Sequence, residues 1–460
     1  MPSNVHAIIL ATMAFTMLTS IAEAADLPAP NDCTREAAGP VLTLRAAADR
    51  IESCNPSVLQ ARAALAAARA DIITADHTPN PTLGLGISNI NPKAGIGDGP
   101  LADRTVDSAI RLDQLIERGG KRAARRNAAY ATANSGEQAL RDAELRSQQD
   151  LLEAYVNTAA AEASLDLLTQ AAASYRQSVS AMERRLSAGD VARIEKNRVE
   201  LDAARAEADA ATAATAVAAA RADLATAIST PQLAPDIHLM TLDQLASVRT
   251  SHSIAIPSEE QLLRERPDIQ SAAAKLDAAR SSLTLARAGQ VNDVDVTFGF
   301  DHWPVSATNT QGTGNSWTIG ASMPLRIFDT GRGVVGHAAA DVNAAESELR
   351  RSQDAAQIEL RTAQSTLSTT EALAARYRAS LLPDANQILE AEEAAYRRGG
   401  ASLLDLLDAR RNARQVALAA VAAQRDAEIA AGRLALATGQ EPLAPFLHDA
   451  TATRPGPPNP

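Results

Sequence analysis

The residues Leu83-Gly84-Leu85-Gly86-Ile87-Ser88 alternate strictly, with Leu83, Leu85 and Ile87 on one face of an extended chain and Gly84, Gly86 and Ser88 on the other. A turn-rich stretch from Asn89 to Gly99 follows. A second alternation then sets Val106, Ser108, Ile110 and Leu112 against Asp107, Ala109, Arg111 and Asp113. The same design returns downstream. Val294, Val296, Phe298 and Phe300 oppose Asp295, Thr297, Gly299 and Asp301, and Trp317, Ile319, Ala321 and Met323 oppose Thr318, Gly320 and Ser322. Strands are expected over about 82–90, 105–116, 292–302 and 315–326. Each is long enough to cross an outer membrane at a tilt, with an apolar face for lipid and a small, polar or charged face for water. Two hairpins on a soluble core are the alternative, but the neighbouring sequence is alanine-rich and offers no apolar layer to cover them. Four strands cannot close a barrel, and lipid does not tolerate open edges. Three chains would supply twelve strands, an even number within the known range. A trimer is expected.

Composition agrees with long helices around those strands. The chain has 460 residues, only 3% aromatic, and alanine is its commonest residue. Two cysteines exclude a disulfide-dense fold. A net charge of -11 argues against a nucleic-acid partner. Length alone suggests about three domains, but an internal repeat overrides that count. Pro56 matches Pro267, Gly120-Lys121 matches Gly331-Arg332 and Gly189 matches Gly400, all at an offset of 211. Residues 1–24 read as an export signal, an apolar run before Ala22-Glu23-Ala24. Residues 25–229 form the first repeat and 258–440 the second, joined by a linker or equatorial segment at 230–257 and followed by a disordered tail at 441–460. Within each repeat the order is helix, strand, strand, long helix, turn, helix. The first helix is expected from Leu42 to Asp76, and the helical hairpins over about 120–229 and 332–438. A helix from Gly120 to Leu186 would be about 100 Å long. Pro383 should kink its counterpart. After export, Cys33 and Cys54 are expected to pair, a link worth roughly 3 kcal/mol that would staple the N-terminal segment to the first helix.

On this plan and its motifs the chain resembles the TolC-type outer-membrane factors of tripartite efflux pumps. Pro79-Asn80-Pro81 before the first strand, and Glu117-Arg118-Gly119-Gly120-Lys121-Arg122 after the second, resemble the heavy-metal branch with its cobalt-zinc-cadmium channels. The second run reads as a strand-to-helix corner, with Lys121 and Arg122 solvated at the barrel rim. Tyr396-Arg397-Arg398-Gly399-Gly400-Ala401-Ser402-Leu403-Leu404-Asp405-Leu406-Leu407-Asp408 resembles the periplasmic tip of the family's second hairpin. The resemblance implies a trimer whose twelve-strand barrel continues into a helical tunnel. It also implies a gate in which Asp405 and Asp408 ring the constriction and attract cations, with Tyr396 and Glu195 forming a closing link between hairpins. As i and i+3, Asp405 and Asp408 share a helix face, but a first-turn carboxylate can also serve only the helix dipole. Ala401 stands where an arginine link can be found, which leaves Arg193 and Arg398 as candidates. The turns at Gly189, Gly399 and Gly400 would receive a periplasmic adaptor (membrane fusion) protein, and an inner-membrane transporter of the resistance-nodulation-division type would drive export.

Seven scattered histidines show no ligand spacing, and His302 beside Trp303 falls in an expected extracellular loop. No phosphate loop, dinucleotide turn or nucleophile elbow is present. The chain therefore reads as a passive conduit without enzyme activity, cofactor or resident metal, embedded in outer-membrane lipid. Efflux of divalent metals leads. A drug or type I protein-secretion channel, or a soluble periplasmic coiled-coil scaffold, are the alternatives.

Overall fold

The computed structural model of the chain describes residues 42–90, 106–230, 237–249, 256, 258–303 and 314–447. It opens with α1 (Leu44–Cys54), α2 (Pro56–Asp76), β1 (Thr82–Ser88) and β2 (Asp107–Ile116). The first helical hairpin is α3 (Lys121–Ser187) and α4 (Arg193–Ala227). Short helices α5 (Leu242–Arg249) and α6 (Glu259–Glu265) lead to α7 (Pro267–Ala288), β3 (Val294–Trp303) and β4 (Gly314–Ser322). The second hairpin is α8 (Arg332–Arg376), a π-helical turn at Tyr377–Leu381, α9 (Leu382–Arg397) and α10 (Leu403–Ala437), with α11 (Ala444–Leu447) after it.

Several expectations need correction. The single helix from Leu42 to Asp76 is two helices. Asn55 ends α1 in an extended conformation and caps α2, accepting from the amides of Ser57 and Val58, and Pro56 takes the first helical position. The last strand stops at Ser322, just before Met323-Pro324, because proline has no N–H for a ladder. Val106 precedes β2 and is buried instead of joining its outward face. His302 and Trp303 belong to β3, where His302 Nδ1 lies 2.6 Å from Asn315 Oδ1 on β4. The tail is ordered through residue 447, since Leu443 and Phe446 are buried in the core beside α1 and α5.

The sheet is an antiparallel meander in the order β1-β2-β3-β4, although the whole first hairpin lies between β2 and β3 in the chain. Its register aligns the two faces across all strands. Leu83, Leu112, Phe298 and Ile319 form one rung, and Leu85, Ile110, Phe300 and Trp317 the next but one. Between them runs Gly84, Arg111, Gly299 and Thr318. The apolar rungs are largely exposed, up to 79% at Ile319. No described element of the chain covers them, and among the described residues β1 and β4 each keep an unpaired edge.

The corner below the sheet is polar and interlocked. Lys121 Nζ lies 2.7 Å from Asp293 and Arg125 2.6 Å from Glu117, and the Arg118 amide donates to Asp293 at 2.9 Å. Lys121 is therefore an ion-pair partner with a mostly buried side chain, not a solvated rim residue, and Arg122 reaches Asp76 at 3.2 Å. Gly119 is required here. Its φ is +72°, and a Cβ would stand 2.9 Å from Val291.

The main core lies midway along the helices. Leu44, Ile51, Leu151, Leu152, Leu224, Ile228 and Leu245 pack around Tyr155, which is fully buried. The Tyr155 hydroxyl donates to the Leu42 carbonyl (3.0 Å) and accepts from the Met240 amide (2.8 Å). Burial pushes the phenol up to about 12. Two buried arginines fix the second hairpin to this belt. Arg249 on α5 meets Glu428 at 2.6 Å and Glu371 at 2.7 Å, and Arg266 meets Asp268 at 2.8 Å, Glu359 at 2.7 Å and the Ala437 carbonyl at 2.9 Å. Cys54 is held in a disulfide, while Cys33 lies outside the described residues, as do residues 1–24.

Candidate functional site at the hairpin tips

Each tip begins where an outgoing helix ends in a left-handed residue. Gly189 (φ +83°) donates to the Leu186 carbonyl at 3.1 Å, and the Asp190 amide reaches the Arg185 carbonyl at 2.9 Å. Gly399 (φ +78°) donates to Tyr396 at 3.1 Å and the Gly400 amide to Ala395 at 2.9 Å. Both sets are the paired bonds of a Schellman stop, which needs a residue free to adopt positive φ. The counterpart of Gly189 is thus Gly399, one residue earlier than the offset of 211 implies. Upstream, the Pro383 kink takes the form of the π-helical turn. Proline cannot donate to the turn before it, and the Leu382 amide bonds Tyr377, five residues back.

Asp405 and Asp408 both lie in the first turns of α10 and are exposed, whereas Leu406 and Leu407 between them are buried. They are not equivalent. Asp405 completes a capping box: it accepts from the Ser402 hydroxyl (2.7 Å) and amide (3.1 Å), while its own amide donates to Ser402. The Ser402 hydroxyl, and then its amide, hold the Asp405 carboxyl below the usual carboxylate range. Asp408 pairs with Arg411 at 3.0 Å. Tyr396 and Glu195 do not meet within the chain. The Tyr396 hydroxyl accepts from Arg185 at 3.0 Å and contacts Met182, with the Arg185 guanidinium 6.0 Å from the ring centre. Glu195 sits in the first turn of α4 with no side-chain partner among the described residues. Arg193 and Arg398 likewise have none there.

What joins the hairpins is a row of arginines on α10 that sequence reasoning missed. Arg410 bonds Glu393 on α9 (2.9 Å) and the Ser178 hydroxyl on α3 (2.8 Å), 5.9 Å from the Tyr175 ring centre. Arg411 Nη2 lies 2.7 and 2.9 Å from the two oxygens of Asp202 on α4. Arg414 reaches Asp209 at 3.3 Å. The available sign was the spacing Arg410-Arg411-x-x-Arg414, three cations close together on a helix whose neighbouring Leu406, Leu407, Ala409 and Ala413 are apolar. Between the tips lies a cavity of about 660 Å³, lined by Met182, Val199, Tyr396, Leu403 and Leu407 among others. Among the described residues no group of three or more His, Cys, Asp or Glu side chains could hold a metal ion.

The sequence matches the family model for the outer membrane efflux protein twice, over residues 47–230 and 259–440. It is 28% identical over 383 residues to the cobalt-zinc-cadmium resistance protein CzcC of Cupriavidus metallidurans, covering 82% of this chain and 85% of that one. A crystal structure of a membrane protein from Pseudomonas aeruginosa superposes with a TM-score of 0.74 at 21% identity, covering 86% of this chain and 92% of the other. A crystal structure of CusC gives 0.71 at 18% identity with the same coverage. The fold is that of the outer-membrane channels, and the chain belongs to the outer membrane efflux protein family, whose members are transport components of the outer membrane reaching into the periplasm and not enzymes.

Proposed function

We propose that the chain is the passive outer-membrane channel of a tripartite pump exporting divalent metal cations. Three copies close a twelve-strand barrel, with β4 of one protomer pairing β1 of the next, and the hairpins continue it as a tunnel across the periplasm. The observation that carries this reading is the sheet: two apolar rungs run unbroken across four strands, exposed, between two unpaired edges. Lipid is the solvent that suits those rungs, and closure is what lipid demands of the edges. The cargo is inferred from the likeness to CzcC. An inner-membrane transporter of the resistance-nodulation-division type supplies the energy, through an adaptor docked at Gly189, Gly399 and Gly400. Asp405 and Asp408 ring the constriction with six carboxylates, a cation-attracting arrangement. Both are exposed at the start of α10, which supports that placement.

The test is growth of a deletion strain across zinc, cobalt, cadmium, nickel and copper beside dyes and detergents. Sensitivity to one or more metals alone is the expected result. Sensitivity to dyes and detergents alone would keep the channel and discard the metal cargo.

A further inference from the structure

Asp202 is the one charged residue among those that α4 buries, the others being Val199, Leu224 and alanines. Its side chain is 7% exposed, and both oxygens are engaged by one nitrogen of Arg411, which belongs to the other hairpin. Among the described residues its only other ion-pair partner is Arg205 on its own helix, at 3.8 Å. Breaking a buried ion pair is costly, and separating the hairpins would leave Asp202 with only the longer contact to Arg205. The second nitrogen of the same guanidinium holds Asp408. Arg410 and Arg414 flank the contact, reaching Ser178 on α3 and Asp209 on α4. The first three turns of α10 are therefore tied to both arms of the first hairpin by charge, not by apolar packing alone.

The duplication does not explain these ties. The reciprocal of the Arg411–Asp202 pair would be Glu200 with Ala413 at an offset of 211, or Leu201 with Asn412 at the offset of 210 that the tips adopt. Neither is an ion pair. The link exists once per chain, at the end where the second hairpin carries a π-helical turn and α9 buries no residue.

We propose that the Arg411–Asp202 pair is the latch that holds the periplasmic end shut in this chain, in place of the Tyr396–Glu195 link, with Arg410 and Arg414 as its supports. The latch rests on the reading of the tips as a gate. Breaking it frees α9 and the start of α10 to swing away from α3 and α4 and widens the ring at Asp405 and Asp408.

Planar-bilayer recording of purified trimers tests it. Asp202→Asn and Arg411→Gln should each raise the open population on the order of tenfold, the worth of one charged hydrogen-bonded pair. The exchanged variant Asp202→Arg with Arg411→Asp should return toward the wild-type current. Wild-type current in both single variants, with trimers that survive SDS, would overturn the latch. Should the singles fail to assemble, Arg411→Lys keeps the charge but cannot hold both Asp202 and Asp408; a raised current supports the latch, and a wild-type current overturns it. The two readings fail differently: trimers whose current and cation preference ignore replacement of both Asp405 and Asp408 by Ala sink the gate itself, whereas a pore that responds there but is indifferent to Asp202 sinks only the latch.

Discussion

The two helical hairpins share a plan, but their outgoing helices are held by different forces. The outgoing helix of the first, α3, runs 67 residues without a break and buries eighteen of them, Leu151, Leu152, Tyr155 and Tyr175 included. In the second, α8 buries only Ala338, Ala356 and Ala363, the π-helical turn interrupts it, and α9 buries nothing. Besides the apolar packing of α10, which buries Leu406, Leu407 and Leu434, the second hairpin is attached by Arg249 to Glu371 and Glu428, Arg266 to Glu359, and the arginines of α10. Apolar packing is non-directional, whereas a hydrogen-bonded ion pair fixes the geometry of both partners. That difference between the two outgoing helices is compatible with the gate proposed above. The bare face of α9, like the open edges of β1 and β4, also calls for neighbouring chains.

The strongest attempt to break that contrast is Arg249→Ala. It strands the Glu428 carboxylate, 1% exposed, and should cost about 3–5 kcal/mol. Hydrogen exchange should quicken in α8 and α9 and leave α3 unchanged; equal quickening in both hairpins would erase the distinction. The defect has a pH sign. Burial already pushes the Glu428 carboxyl up, against the pull of Arg249, and without the guanidinium it rises further. An acid whose folded pKa is raised is penalised above that pKa, and the penalty disappears as pH falls toward its unfolded value. Melting curves of the variant should therefore approach those of the wild type on acidification, and Glu428→Gln should be milder at neutral pH.

Tyr155→Phe sharpens the contrast from the other side. It leaves the Leu42 carbonyl and Met240 amide without their shared partner in the apolar belt, at a cost of about 1–3 kcal/mol. Denaturant midpoints should fall while bilayer currents stay as in the wild type. Gly432→Ala probes the seam between the hairpins, where a Cβ would overlap Leu152 Cδ2 and stand 2.7 Å from Gln149 Oε1. Overpacking should cost about 1–3 kcal/mol and lower the temperature at which SDS-resistant oligomers dissociate. An unchanged temperature would mean that the seam yields. The smallest effect belongs to Asp405→Ala. The Asp405 carboxyl is held below its usual range by Ser402, so its contribution is present above the unfolded pKa and lost as pH falls through the lowered one. Wild type and variant should differ slightly in melting temperature at neutral pH and converge in strong acid.

Much of this was legible. Strict alternation at Leu83–Ser88 and Val294–Phe300 marks strands because period two has no other cheap explanation, and Gly189 and Gly399 mark stops because few other residues adopt positive φ. Asn55-Pro56 carried the same breaker chemistry as Asn80-Pro81, but the apolar pattern continuing across it hid the break. Leu443 and Phe446 were masked by the proline-rich sequence beyond them. The tying arginines were opaque for a physical reason: a helical arginine reads as solvated surface until the fold brings Asp202 or Glu428 to it. Glu428, a lone acid in the alanine-rich run Ala427–Ala431, was the nearest thing to a warning.

The rungs, the open edges and the bare face of α9 converge on one number, the copies needed to close the structure. Native mass spectrometry of the detergent-solubilised full-length protein counts them. The account predicts three chains per particle; one, two or four chains would contradict a twelve-strand barrel and the gate built upon it.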